Sequence, residues 1–110
     1  MKFKSVLPAA AAILALSMAA QAAPDADAAL KALKDNNCTK CHSIDKDKRG
    51  PAYQKVAAKY KGKADAEDKL TKHLTTSPMV KLDDGTEEEH KALKGDPAAM
   101  KNLIQFILAQ

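Results

Sequence analysis

Beyond residue 22, hydrophobic and polar positions follow the period of amphipathic helices. In residues 25–36 one apolar face recurs at positions i, i+3, i+4 and i+7, formed by Ala26, Ala29, Leu30 and Leu33. Asp25 or Asp27 can cap the start of this segment, and Asn36-Asn37 ends it. The pattern therefore predicts a first helix over residues 25–36.

Three later segments are also predicted as helices. Residues 52–61 and 65–74 have the same apolar spacing. The last helix is capped by Asp96 and has Pro97 at its first position, and its apolar face consists of Leu103, Ile104, Phe106, Ile107 and Leu108. A polar loop, residues 43–51, separates the first two helices.

The stretch before the last helix is predicted in two parts. Pro78 removes a backbone donor and disfavours helix just before it, so residues 75–80 are predicted as an extended loop. Thr86 and Glu89 form a capping box for a short helix that would end at Lys94. Because no segment has a convincing strand pattern, the predicted fold class is all-α.

The first 22 residues have the pattern of a secretory leader. Lys2 and Lys4 provide a basic start, residues 6–20 are apolar and almost uncharged, and Ala20-Gln21-Ala22 is a small-x-small cleavage pattern. The apolar run is shorter than the roughly 20 residues of a membrane span. We expect a cleaved signal peptide, residues 1–22, and one domain over residues 23–110; an uncleaved anchor is the alternative.

Charge is unevenly distributed along the chain, whose formal net charge of +4 falls to +2 without Lys2 and Lys4. The basic residues concentrate early, as Lys46, Lys48, Arg49, Lys55, Lys59, Lys61 and Lys63, and the acidic ones later, as Asp83, Asp84, Glu87, Glu88 and Glu89. The mixed signs and scarce aromatics argue against nucleic-acid binding. The stretch 46–55, called the basic patch below, is either a solvated face or a docking surface.

The motif that carries chemistry is Cys38-Thr39-Lys40-Cys41-His42, which has the Cys-x-x-Cys-His spacing of haem c attachment. Two thiols one helical turn apart can each add to one vinyl group of a porphyrin. The adjacent imidazole then serves as the proximal iron ligand. Its other ring nitrogen needs a backbone carbonyl to orient it, and the loop at Gly50-Pro51 is the expected source.

Two other interpretations of this Cys-x-x-Cys pair remain open. A thiol–disulfide redox centre would lie in a βαβ fold, for which no strands are predicted. A zinc site would need a second pair of ligands at finger-like spacing, and the sequence has none.

After these residues, the chain from 23 to 110 resembles a small bacterial class I c-type cytochrome. The resemblance rests on the amphipathic first helix, the Cys38–His42 motif, Gly50-Pro51, the Pro78-Met79 pair and the hydrophobic last helix. It implies cytochrome c-like helices around one covalently attached haem c and its iron. Cys38 and Cys41 would form the thioethers and His42 the proximal ligand. Pro51 would lie beside that imidazole.

The distal ligand has more than one candidate, because residues 80–95 stand where small relatives have a short proline-rich segment. The resemblance implies Met79, whose thioether on a loop can reach iron. His90 is the alternative, although its predicted helix is highly charged and should face water. Met100, His73 or an open site complete the set.

The function implied is that of a periplasmic monohaem carrier of single electrons, which is not an enzyme. We expect a monomer that meets redox partner proteins at the haem edge and the basic patch, with no membrane contact after leader cleavage. The alternative is a haem-based small-ligand binder or peroxidase-like protein with an open distal site. For that function His73, His90 and Arg49 are the available distal groups.

Overall fold

The computed structural model describes residues 23–110, and the predicted leader lies outside the described residues. In this range, four helices and one hairpin follow one another in the order α1 (Ala26–Asp35), α2 (Tyr53–Tyr60), α3 (Ala66–Thr75), β1 (Met79–Lys81), β2 (Glu87–Glu89) and α4 (Pro97–Leu108). A 3₁₀ turn, Cys38–Lys40, follows α1. Within residues 23–110, none of the helices has the length and apolar character needed to cross a bilayer.

The predicted helix caps are confirmed at both ends of the domain. The Asp25 carboxylate accepts a hydrogen bond from the backbone N–H of Ala28 at 3.0 Å and so caps α1. Asp96 caps α4 in the same way through the N–H of Ala98, and Pro97 follows at the first helical position. Both helices therefore begin where their sequences predict.

Helix α4 lies against α1, α2 and α3 and forms the centre of the core. Leu33 of α1 and Ile104 of α4 are almost completely buried there. The Asn102 side chain also holds the start of α1, because it accepts from the Asp25 N–H at 2.8 Å and donates to the Asp25 carbonyl at 2.9 Å. The first and last helices thus support the segment between them, which carries the cysteines.

Residues 79–89 form an antiparallel hairpin, so the predicted helix from Thr86 to Lys94 is wrong. Met79 pairs with Glu89 and Lys81 with Glu87. Instead of capping a helix, Thr86 bonds to the Asp84 carboxylate through both its N–H and its hydroxyl, at 3.0 and 2.6 Å. Gly85 has φ +84°, which closes the turn and reverses the chain. The helical class is confirmed, with this two-stranded sheet as an addition.

Substitution at Leu33 tests the packing of α1 on α4. Leu33 is 2% exposed and Leu30, in the same helix, is 48% exposed. Leu33→Ala should lower the free energy of unfolding by about 2–5 kcal/mol, and Leu30→Ala by less than about 1 kcal/mol. Urea unfolding followed by far-UV circular dichroism measures both. Equal losses would contradict the packing described.

Candidate haem site

The Cys38–His42 segment forms one compact turn. The backbone N–H groups of Cys41 and His42 both donate to the Cys38 carbonyl, at 3.2 and 2.9 Å. Asn37 enters the turn with φ +57°, a conformation that asparagine tolerates better than most residues. Both thiols are unpaired and half-buried. Burial raises the pKa of the Cys38 thiol, and the nearby Lys91 ammonium opposes that shift.

The His42 ring is oriented by a backbone carbonyl. Its Nδ1 lies 2.7 Å from the carbonyl oxygen of Pro51, the segment that the sequence indicates as the source of this acceptor. A proton on Nδ1 donates to that oxygen and leaves the lone pair of Nε2 for a metal. Burial lowers the pKa of His42, the Pro51 hydrogen bond opposes this, and the neighbouring His90 adds to the lowering. The net shift favours neutral imidazole, the form that binds metals.

Gly50 lies against the same ring. A Cβ at residue 50 would stand 2.6 Å from Cε1 of His42, closer than a Cβ approaches a non-bonded carbon atom. The Gly50 N–H donates to the Cys41 carbonyl at 2.8 Å, which holds the loop onto the motif. Sequence reasoning identified the Gly50-Pro51 loop but missed why glycine is needed. A glycine directly before the carbonyl that orients the histidine was the available signal.

Tyr53 is a second contact that sequence reasoning missed, because its spacing indicated only the apolar side of α2. Its ring stacks on His42 with centroids 4.9 Å apart and 19° between planes. The side chain is buried, and burial raises the pKa of its phenol strongly, with the Cys38 and Cys41 thiols adding to the shift. The uncharged ring of Tyr53 therefore covers one face of the His42 imidazole.

The structure brings all three histidines of the chain together. The centroids of His42 and His90 lie 6.2 Å apart, and His73 meets His90 edge to face at 4.6 Å. Burial lowers the pKa of His73, and the two other histidines add to that. The sequence did not predict this cluster, because it placed His90 on a solvent-facing helix, and that helix does not form.

The two methionine candidates for the distal ligand have different surroundings. Met79 is 59% exposed on β1. Met100 packs against the hydrophobic core from α4. Met79 as distal ligand therefore stays a prediction.

These residues fit a covalently held porphyrin and its iron. Two thiols and one imidazole with an available Nε2 share a turn, and Gly50 leaves no Cβ in the way of that imidazole. In this arrangement Cys38 and Cys41 would hold the porphyrin edge and His42 the iron. The ring also has a fixed tautomer, which a proximal ligand needs.

Comparison with known proteins also indicates a c-type cytochrome. The sequence profile of the cytochrome c family matches residues 26–110. Cytochrome c-551 of Allochromatium vinosum is 50% identical over 48 residues, which are 44% of this chain and 51% of that protein. Cytochrome c-551 of Pseudomonas aeruginosa is 46% identical over 41 residues, 37% of this chain and 39% of that one. The chain thus spans about half the length, or less, of these two relatives.

Solved structures match over a larger part of the chain. The class 1 cytochrome MtoD from Sideroxydans lithotrophicus ES-1 has a TM-score of 0.78 and 54% identity, covering 79% of this chain and 97% of that one. Wild-type cytochrome c552 of Nitrosomonas europaea has a TM-score of 0.59 and 28% identity, covering 72% and 95%.

Gly50→Ala tests the close contact with His42. The added methyl group should displace the imidazole, lower the free energy of unfolding by about 1–3 kcal/mol and alter the absorption spectrum of the haem protein. Gly95→Ala is the control, because nothing lies within 4 Å of a Cβ there. If both variants have the spectrum and stability of the parent protein, Gly50 does not constrain the ring.

Proposed function

Because this chain belongs to the cytochrome c family and carries a covalently attached haem c, we propose that it is a monohaem carrier of single electrons between periplasmic redox proteins. The observation that carries the proposal is the Cys38–His42 turn, with the Nδ1 of His42 2.7 Å from the Pro51 carbonyl. The haem supplies an iron that changes its charge by one electron. The chain supplies the attachment, the orientation of the ligand and the surroundings.

The roles of individual residues follow from their places in the turn. We assign the thioether bonds to Cys38 and Cys41 and the proximal position to His42. Pro51 fixes the tautomer of that imidazole, and Tyr53 supports its ring. A carrier works best when both axial ligands stay on the iron in both oxidation states, so the second ligand should come from the chain, with Met79 and His90 as candidates.

The basic patch adjoins the attachment turn, which supports its proposed role in docking. The Lys48 ammonium donates to the Thr39 carbonyl at 2.6 Å, inside the Cys-x-x-Cys-His motif itself. Two other charges of the patch have acidic neighbours. Lys55 pairs with Asp47, and Arg49 lies 3.5 Å from Glu88 of the hairpin. The patch therefore keeps a positive excess beside the haem site, which suits a partner with an acidic face.

A second candidate function is a haem protein that binds small ligands or reacts with peroxide at an open distal site. The observation in its favour is the imidazole of His90 near His42, which could act as an acid–base group there. Added cyanide separates the two functions. An open site should change its spectrum at once on mixing, whereas an iron with two protein ligands should react slowly.

Removing both thiols tests the attachment. Cys38→Ala combined with Cys41→Ala should abolish the haem that survives extraction with acidified acetone, and the domain should lose most of its stability. The parent protein should retain its colour and titrate as a single one-electron centre. A colourless, well-folded parent protein from a host that assembles c-type cytochromes would contradict the proposed function.

Charge reversal tests the basic patch. Lys46→Glu and Lys48→Glu together should slow electron transfer with an acidic partner protein by roughly threefold or more at low ionic strength. The difference should shrink as salt rises, because charges are screened beyond about 10 Å at 0.1 M. Lys101→Glu, on α4, is the control. An unchanged rate at low salt would show that the patch is a solvated face.

The proposed compartment rests on residues 1–22. The full chain produced in a bacterial host should appear in the periplasmic fraction without these residues, as mass spectrometry of the purified protein would show. A protein that keeps residues 1–22 and stays with the membrane fraction would instead support the uncleaved anchor.

A further inference from the structure

The register of the hairpin decides which side chain faces His42. Met79 stands opposite Glu89, and the N–H of His90 donates to the Pro78 carbonyl at 2.8 Å, which extends the pairing by one residue. Side chains of paired residues lie on the same face of a sheet, and successive residues alternate between faces. Met79 therefore shares a face with Glu89, whereas His90 shares the opposite face with Pro78.

Burial shows which of these faces is the inner one. On the first face, Met79 is 59% exposed and its partner Glu89 is exposed as well. On the second face, Pro78, Val80 and His90 are half-buried and Leu82 just beyond the strand is buried, whereas Glu88, opposite Val80, is exposed beside Arg49. A shift of the register by one residue would exchange the two faces. In the observed register, His90 points inward and Met79 outward.

The imidazole of His90 is oriented in the same way as that of His42, by a backbone carbonyl next to its Nδ1. Its Nδ1 lies 3.0 Å from the Lys91 carbonyl oxygen, as the Nδ1 of His42 lies 2.7 Å from that of Pro51. Each ring thus has a carbonyl partner for a proton on Nδ1 and an Nε2 lone pair left over. Two imidazoles that bind one metal ion from opposite sides, with bonds of about 2 Å, have centroids about 6 Å apart. The observed separation is 6.2 Å.

The backbone around His90 is held on several sides. The Pro78 carbonyl binds its N–H, the Lys91 ammonium donates to the Asn36 carbonyl at 3.2 Å, and the Leu93 N–H donates to the Leu74 carbonyl at 2.8 Å. The Asn36 contact links this segment to the end of α1, two residues before Cys38. His90 is therefore positioned by the same region that positions the attachment motif.

We propose that His90 is the second axial ligand of the iron, so that the haem is held by two histidines. This inference rests on the proposed function insofar as it requires the covalently attached haem. His73 then packs its ring against His90 from α3 and positions it without touching the iron. Compared with a methionine, an imidazole in this place lowers the reduction potential of the carrier.

The test compares the ferric spectra of three variants, His90→Ala, Met79→Ala and, as the control, Lys81→Ala, an exposed residue on the same face of the hairpin as Met79. The parent protein should be low spin without the weak red-edge absorption of methionine sulfur on ferric iron. His90→Ala should lose the low-spin spectrum and recover it on addition of imidazole, which also shows that the variant is folded. Met79→Ala and the control Lys81→Ala should stay low spin.

A fourth variant gives a gain of signal. His90→Met should acquire the sulfur band and a reduction potential above that of the parent protein. A parent protein that shows the sulfur band, with high-spin Met79→Ala and low-spin His90→Ala, overturns the inference. It leaves the proposed function intact, because the haem remains covalently bound. Loss of all colour on acid extraction of the parent protein contradicts the proposed function itself.

Discussion

The contact on which the site depends is the approach of the loop 43–51 to the His42 ring. The Pro51 carbonyl fixes the ring nitrogen that faces the protein, and Gly50 makes the approach possible because it has no Cβ. The Gly50 N–H returns to the Cys41 carbonyl, so the loop and the motif hold each other. Without this contact the imidazole could rotate and present either nitrogen to a metal. With it, Nε2 is the nitrogen left for a metal.

The core holds the segment that leads into the motif, and the hairpin holds the loop 43–51. Helix α4 binds the start of α1 through Asn102, and α1 leads directly into the cysteines. The hairpin reaches the loop from the other side, since the Asp83 N–H donates to the Arg49 carbonyl at 3.3 Å and Arg49 pairs with Glu88. One acidic side chain of the hairpin, that of Glu88, thus lies against the basic patch. The separation of charge seen along the sequence is only partly preserved in space.

Features encoded by neighbouring residues could be predicted from the sequence. The caps Asp25 and Asp96 and the helical spacing each depend on a few adjacent positions, and each prediction agrees with the structure. The Cys-x-x-Cys-His motif is equally local, and the family of the chain agrees with the haem that it predicts. The failed prediction was also local. Thr86 and Glu89 satisfy the rule for a capping box, but the turn at Gly85 and the pairing of Glu89 with Met79 override it. Cross-strand pairing depends on residues ten positions apart, which helical spacing does not detect.

The same limit explains why the histidine cluster was missed. His42, His73 and His90 come from a turn, a helix and the end of a hairpin, and only the hairpin register turns His90 inward. Predicting that orientation required knowing the strand, its register and the face that packs. The stacking of Tyr53 on His42 likewise depends on how α2 follows the loop. Local patterns could predict a haem-attachment motif, but not the side chains that surround His42.

The central claim is that His42 holds the iron of a covalently attached haem, with a second ligand from the chain. Proton and nitrogen NMR of the ferric protein, labelled with ¹⁵N at histidine alone, counts the bound imidazoles directly, since the chain has only three histidines. We expect strongly shifted, paramagnetically broadened ring signals from His42 and His90, and signals near their ordinary positions from His73. Ring signals of His42 at ordinary positions, in protein that retains its haem, would contradict the account.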